Sequence, residues 1–275
     1  MRTSYHVAIM GSFAIMMLTS MGAANAELSY DGQLEFANSI EEINGHILAA
    51  KKNIELGNSE QAALHLSHPI DVLYEDISTQ LNTNSKINEK LEFSLNILKN
   101  TKTDVTTNFF DKQATGIFNV LDETKLALIP TNTLHDSVFK LNTISNLLEM
   151  SKVTYDLGLQ SNDELMKQVH FDDSCAFVWR AQEIFDSIDD MELDHKYKLE
   201  LKLTKTLQSI SNNLPLVDVS IQFDDIVDDI ELTKNSGLGY EPAMITEIGF
   251  AGTIVSSNDN ILFEESLIPS WIKLS

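Results

Sequence analysis

The chain has 275 residues, of which 41 are acidic and 19 basic, for a formal net charge of -22. So strong an acidic balance repels nucleic acid and anionic lipid, which excludes both as ordinary partners, and it attracts cations diffusely. The single cysteine, Cys175, excludes an internal disulfide, so stability rests on an apolar core that a chain of this length can bury.

Residues 1–26 read as an export signal. Arg2 supplies the charged start, VAIMGSFAIMMLTSMGAA the apolar stretch, and Ala24-Asn25-Ala26 the small-x-small cleavage pattern. The mature chain is expected to begin at Glu27, with an uncleaved anchor as the alternative. No cysteine follows the apolar stretch directly, so lipoprotein processing is not expected.

Apolar residues then fall at Phe36, Ile40, Ile43, Ile47, Ala50 and Ile54, steps of three and four that mark one buried helical face. Gly57 is placed to end this helix in the left-handed conformation, and Asn58 or Ser59 to cap the next. The second helix carries Ala63, Leu66, Ile70, Leu73, Ile77 and Leu81. So tight a turn makes the two antiparallel. His46 lies 11 residues before Gly57 and His68 11 after it, so both are expected at one height, with His65 a turn away. The phase of the stripes sets His46 at the edge of its apolar face and turns His65 and His68 outward, unless Pro69 kinks the helix and re-aims His68. Three readings stand: solvated or packing histidines, a metal site of His46, His65 and His68, and a pH-sensitive packing contact.

Residues 82–85 break the pattern, and Ile87, Leu91, Leu95 and Leu98 begin another amphipathic helix. After a Thr- and Asn-rich stretch at 100–107, Phe109, Phe110, Ile117, Phe118, Leu121 and Leu126 continue an apolar pattern to Pro130. One long bent helix and two separate ones both fit. Beyond Pro130-Thr131-Asn132, residues Leu134, Val138, Leu141, Ile144, Leu148 and Tyr155 are in phase up to Gly158. The following stripe is Met166, Val169, Phe177, Ala181, Ile184 and Ile188, and His170 and Asp173 share its face. A core-facing carboxylate needs partners. His170 and Asp173 either bind each other or meet Glu149 and Tyr155 from the preceding helix. That makes Glu149, His170 and Asp173 a second candidate metal or proton-handling site, beside the alternatives of a satisfied polar network or a local helix break. Cys175 is off-phase and reads as a lone thiol.

An acidic turn at 186–194 precedes a helix with Tyr197, Leu199, Leu201, Leu203, Leu207 and Ile210, which stops before Pro215. Asp224, Asp225, Asp228 and Asp229 then alternate with Ile221, Ile226, Val227 and Ile230. They lack the spacing and glycine of an EF-hand loop and read as a solvated face. From Ser236 no helical period remains, and the apolar pieces at 244–255 and 261–267 are too short to span a membrane. The chain is therefore expected to be all-α: a signal at 1–26, an antiparallel bundle of about six to seven helices at 27–234, and an irregular C-terminal extension at 235–275. No phosphate loop, H-E-x-x-H or G-x-S-x-G occurs, so an enzyme is not expected.

His46, Asn53, Gly57-Asn58, His65, His68-Pro69 and Tyr74, followed by LLEMSKVTYDLGL and VHFDDSCAFVWRAQEIFDSI, resemble secreted helical proteins of ammonia-oxidising archaea. These are similar in turn to the extracytoplasmic helical domain of iron permeases. The resemblance covers most of residues 33–232. Asp173 fits its pattern, while a Glu is expected where this chain has His170. It implies an archaeal, exported, non-catalytic bundle that binds iron or copper outside the cytoplasm. The chain lacks the permease's membrane helices and the C-terminal sorting helix of many relatives, so transport is not expected of it and surface anchoring stays open. The alternative is a metal-free structural or interaction protein of the cell envelope.

Overall fold

A computed structural model describes residues 28–235, apart from Asp104, Asp190, Glu192 and Asn213, and leaves out the side chains of Leu193 and Asp194. The expected export signal and the extension beyond Asn235 lie outside the described residues. Helix α1 spans Tyr30–Leu56. It starts where the Ser29 hydroxyl accepts the Gly32 N–H at 3.2 Å. It ends at Gly57, whose φ of +76° is open to glycine without a Cβ clash. There the Asn58 N–H donates to the Asn53 carbonyl at 2.8 Å, closing the turn into α2 (Ser59–His68) as the sequence predicts.

Pro69 has no N–H to give the helix, and its ring crowds the carbonyl four residues back. The chain widens into a π turn over Pro69–Leu73 and resumes as α3 (Tyr74–Gln80). Helices α4 (Ser85–Lys99) and α5 (Thr107–Leu128) are separate, so the stretch at 100–106 breaks the pattern into two helices. A short α6 (Thr131–His135) leads into α7 (Ser137–Gln160), capped by the Asp136 carboxylate on the Phe139 N–H. Asp163 caps α8 (Glu164–Asp186) through the Leu165 and Met166 N–H groups. Helices α9 (Leu193–Ser211) and α10 (Leu216–Asn235) complete an all-α bundle with no strand among the described residues. The helical segments outnumber the six to seven expected because the π turn, the 100–106 break and the short α6 divide the pattern. No described helix is long and apolar enough to cross a membrane.

The apolar core has two parts. Helices α1 to α5 bury one, with Phe36, Ile40, Ile43, Ile47, Leu66, Leu91 and Phe110 inaccessible or nearly so; α7 to α10 bury the other around Leu147, Tyr155, Phe177, Phe185 and Phe223. Each such side chain contributes about 1.5–3 kcal/mol on leaving water. Helix α8 lies between the two parts, packed by α7, α1, α9 and α2, and every residue from Phe171 to Val178 is buried. Small residues allow the close packing. A Cβ on Gly45 of α1 would stand 2.5 Å from the Phe177 ring, and one on Gly158 of α7 would stand 2.6 Å from Phe171. Ser151 and Ser174 exchange hydrogen bonds with each other's backbone carbonyls at 2.7 and 2.9 Å across the α7–α8 contact.

Polar rungs bridge α1 and α8 between the two apolar parts. The Glu41 carboxylate accepts from Arg180 at 2.6 Å and from Lys125 of α5 at 2.7 Å. Asn53 donates to Asp172 at 2.8 Å, and His46 faces Asp173. Burial alone would raise the Glu41 pKa, but the Arg180 and Lys125 charges outweigh it and hold the carboxyl far below its usual range.

Two outcomes follow from the Glu41 rung. Glu41→Gln leaves two partly buried cations without their counter-charge, and should lower the urea-derived stability by about 2–3 kcal/mol, below the ~3–5 kcal/mol typical of a fully buried pair. Because the folded-state pKa lies below the unfolded value of 4.5, the unfolded chain takes up this proton first as pH falls. The contribution of Glu41 is thus complete above that value and lost progressively below it, and the pH dependence of the Glu41→Gln difference between pH 7 and pH 3 checks it.

Candidate metal centre

Three helices bring their side chains to one buried point. His46 of α1 and His65 of α2 are 3% and 1% exposed, and Asp173 of α8 is 5% exposed. The Nδ1 atoms of His46 and His65 each stand 2.8 Å from the same oxygen, Asp173 Oδ1. At that distance neither ring N–H is aligned for a hydrogen bond. Both nitrogens of each ring and Asp173 Oδ1 are therefore buried without hydrogen-bond partners among the described residues. One ligand atom from each of His46, His65 and Asp173 lies within 4.8 Å of the others. Neighbouring ligand atoms on one transition-metal ion, with bonds of about 2.0–2.1 Å, are separated by about 2.8–3.4 Å. The two N···O contacts fit that spacing.

A second group overlaps the first. Glu42, His46 and His68 also place ligand atoms within 4.8 Å of one another. Here His46 turns its other nitrogen, Nε2, toward Glu42 Oε1 at 4.0 Å, and the His68 ring lies 4.3 Å from the His46 ring between centroids. Phe177 of α8 meets His46 edge-on at 5.4 Å and 84°, fixing the plane of the shared ring.

The electrostatics are those of a carboxylate kept ionised away from water. Burial would raise the Asp173 pKa, but the His46 and His65 imidazoles outweigh it and hold it far below the usual carboxylate range. Burial would lower the His46 pKa, but Asp173 and Glu42 hold it above the ordinary imidazole value. Glu42 is pushed up to about 7, chiefly by burial; His46 opposes this and Asp173 adds to it. Burial and the charge of His46 push His68 down to about 4, with Asp173 opposing. His170 is also lowered, by burial first, with Asp173 opposing and His65 and His46 adding.

The outward orientation expected of His65 and His68 is corrected. The buried face of α2 is Ala62, His65 and Leu66, continued by Pro69 of the π turn, while Ala63 faces solvent. The stripe drawn from Ile70 to Leu81 cannot be extended back with a period of 3.6, because the π turn at Pro69–Leu73 adds residues to one turn and shifts the phase. His68 is half-buried beside His46. The second site expected from Glu149, His170 and Asp173 is not assembled. Glu149 is exposed on α7, and Tyr155 donates its hydroxyl to the Leu214 carbonyl instead. Asp173 joins the hairpin histidines, and the half-buried His170 one turn before it belongs to neither ligand-distance group. Sequence reasoning missed Glu42, although its spacing four residues before His46 puts the two on one helical face.

The fold and the site together define an all-α bundle with a buried histidine–carboxylate cluster. Comparison with protein-family models, with curated proteins and with solved structures found no match.

Asp173→Asn removes the charge between the two rings. His46 can shed a proton and become neutral, so the cost should stay near ~1–3 kcal/mol rather than that of a permanently charged orphan. Urea unfolding of metal-free protein at pH 7 measures it.

Proposed function

We propose that this chain is an exported, non-catalytic helical-bundle protein that binds a transition-metal ion, iron or copper, between His46, His65 and Asp173. The observation that carries the reading is the convergence of two imidazole nitrogens on one buried carboxylate oxygen, with all three atoms short of hydrogen-bond partners among the described residues. Two imidazoles and one carboxylate are a donor set suited to iron(II) and copper(II), and the absence of any thiolate in the group turns it away from structural zinc. The resemblance of the hairpin to the extracytoplasmic domain of iron permeases points the same way. A binding role is favoured over catalysis because the sequence carries no phosphate loop, H-E-x-x-H or G-x-S-x-G, and the cavities of about 520 and 210 Å³ are lined by neither His46, His65 nor Asp173. Export rests on the apolar stretch and Ala24-Asn25-Ala26 at the start of the sequence.

A metal-free interaction protein of the cell envelope is the second reading. One observation favours it: His46 Nδ1 stands 2.8 Å from Asp173 Oδ1, and that carboxylate holds the ring above its ordinary pKa, so the two can pair as ions without a metal.

Calorimetric titration at pH 7 separates the two. Iron(II) or copper(II) is expected to bind with a Kd tighter than about 10 µM, and His65→Ala to weaken binding by at least about tenfold. No heat with either metal, and a melting temperature indifferent to chelator, would favour the metal-free reading.

A further inference from the structure

His46 belongs to both ligand-distance groups and offers a different nitrogen to each. Nδ1 faces Asp173 Oδ1 at 2.8 Å in the inner group; Nε2 faces Glu42 Oε1 at 4.0 Å in the outer one. The two nitrogens lie on opposite edges of one ring, so a single ion cannot take both. His46 is 3% exposed and neither nitrogen has a hydrogen-bond partner among the described residues, so Nε2 is a buried atom directed at the outer group without such a partner there. Glu42 and His68 add a carboxylate and an imidazole there, both half-buried, whereas the inner residues are buried.

Resting on the metal-binding reading above, we infer that the cluster holds a second ion position, formed by Glu42, His46 Nε2 and His68, and that the His46 ring bridges the two ions. A neutral imidazole has one lone pair available in the ring plane and one N–H. For both nitrogens to coordinate, the ring gives up every N–H proton it carries to solvent, one from the neutral ring or two from the imidazolium that pairs with Asp173, and each nitrogen then donates one lone pair to one ion. Bonds of about 2.0 Å on either side of the ring set the ions roughly 6 Å apart. The inner ion takes His65 and Asp173 besides the bridge; the outer takes Glu42 and His68. The half-exposed outer position borders solvent, so its remaining coordination places are open to water or to an incoming ligand.

Copper(II) is the probe, because its spin reports a bridge directly. Equilibrium dialysis of the full chain at pH 7 should give two copper ions per chain. Electron paramagnetic resonance should then show less spin than total copper, through coupling across the ring. His68→Ala with Glu42→Gln should bring the stoichiometry to one and restore the full signal per copper ion. Glu42→Gln alone preserves side-chain volume and should weaken the second ion at least about tenfold, so the test survives if the double variant fails to fold by circular dichroism. One ion per chain in the wild type, unchanged in the Glu42→Gln variant, overturns the second position and leaves the first intact. Two ions with the full uncoupled signal overturn the bridge. No bound copper overturns the metal-binding reading itself.

Discussion

The Asp173 carboxylate, enclosed between the histidines of a helical hairpin, is the constraint that the bundle is arranged to meet. An ionised carboxylate withdrawn from water costs several kcal/mol unless positive or strongly polar groups surround it. Here the compensation comes from helices distant in sequence, with His46 on α1 and His65 on α2 each 2.8 Å from one oxygen. Several local features serve that convergence. Gly57 folds α2 back along α1, and Gly45 lets the Phe177 ring of α8 come against α1. The π turn at Pro69–Leu73 follows His68 and sets the phase of the rod, so that α2 and α3 both reach the core.

Around this point the polar rungs between α1 and α8 fix how the two apolar parts meet. Apolar surfaces alone tolerate sliding, because burial is non-directional. Glu41 with Arg180, His46 with Asp173 and Asn53 with Asp172 match only in one antiparallel register. A slip of one turn would strand each against apolar neighbours, where an unpartnered polar group is costly. Asn53 also ties this register to the hairpin turn, since Asn58 donates to its side-chain oxygen at 3.1 Å while Asn53 itself donates to Asp172. The turn, the register and the candidate metal centre thus share residues, and the site is held by rigid helices rather than by loops.

Much of the architecture was legible in the sequence because it depends on local signals. The 3.6-residue stripes, Gly57 and the level pairing of His46 with His68 all appear in the structure. The orientation of His65 was not legible. Choosing Ala63 rather than Ala62 for the stripe moves the inferred face by a whole residue step, and no periodicity rule anticipates the phase shift of a π turn. The stripe places Asp173 on the core face, but periodicity points to partners on the neighbouring α7, whereas they lie on α1 and α2, more than a hundred residues earlier. Long-range pairing of this kind leaves no periodic trace in one sequence. Glu42 is the opposite case: its spacing of four residues from His46 is a local signal, but it lies outside the apolar stripe of α1.

Anomalous diffraction from crystals soaked with copper(II) or iron(II), recorded at the metal's absorption edge, tests the central claim most directly. The account predicts an anomalous peak within bonding distance, about 2.0–2.2 Å, of His46 Nδ1, a His65 ring nitrogen and Asp173. Crystals whose only anomalous peaks lie on the exposed acidic faces, with His46 and His65 still packed on a bare Asp173, would contradict it.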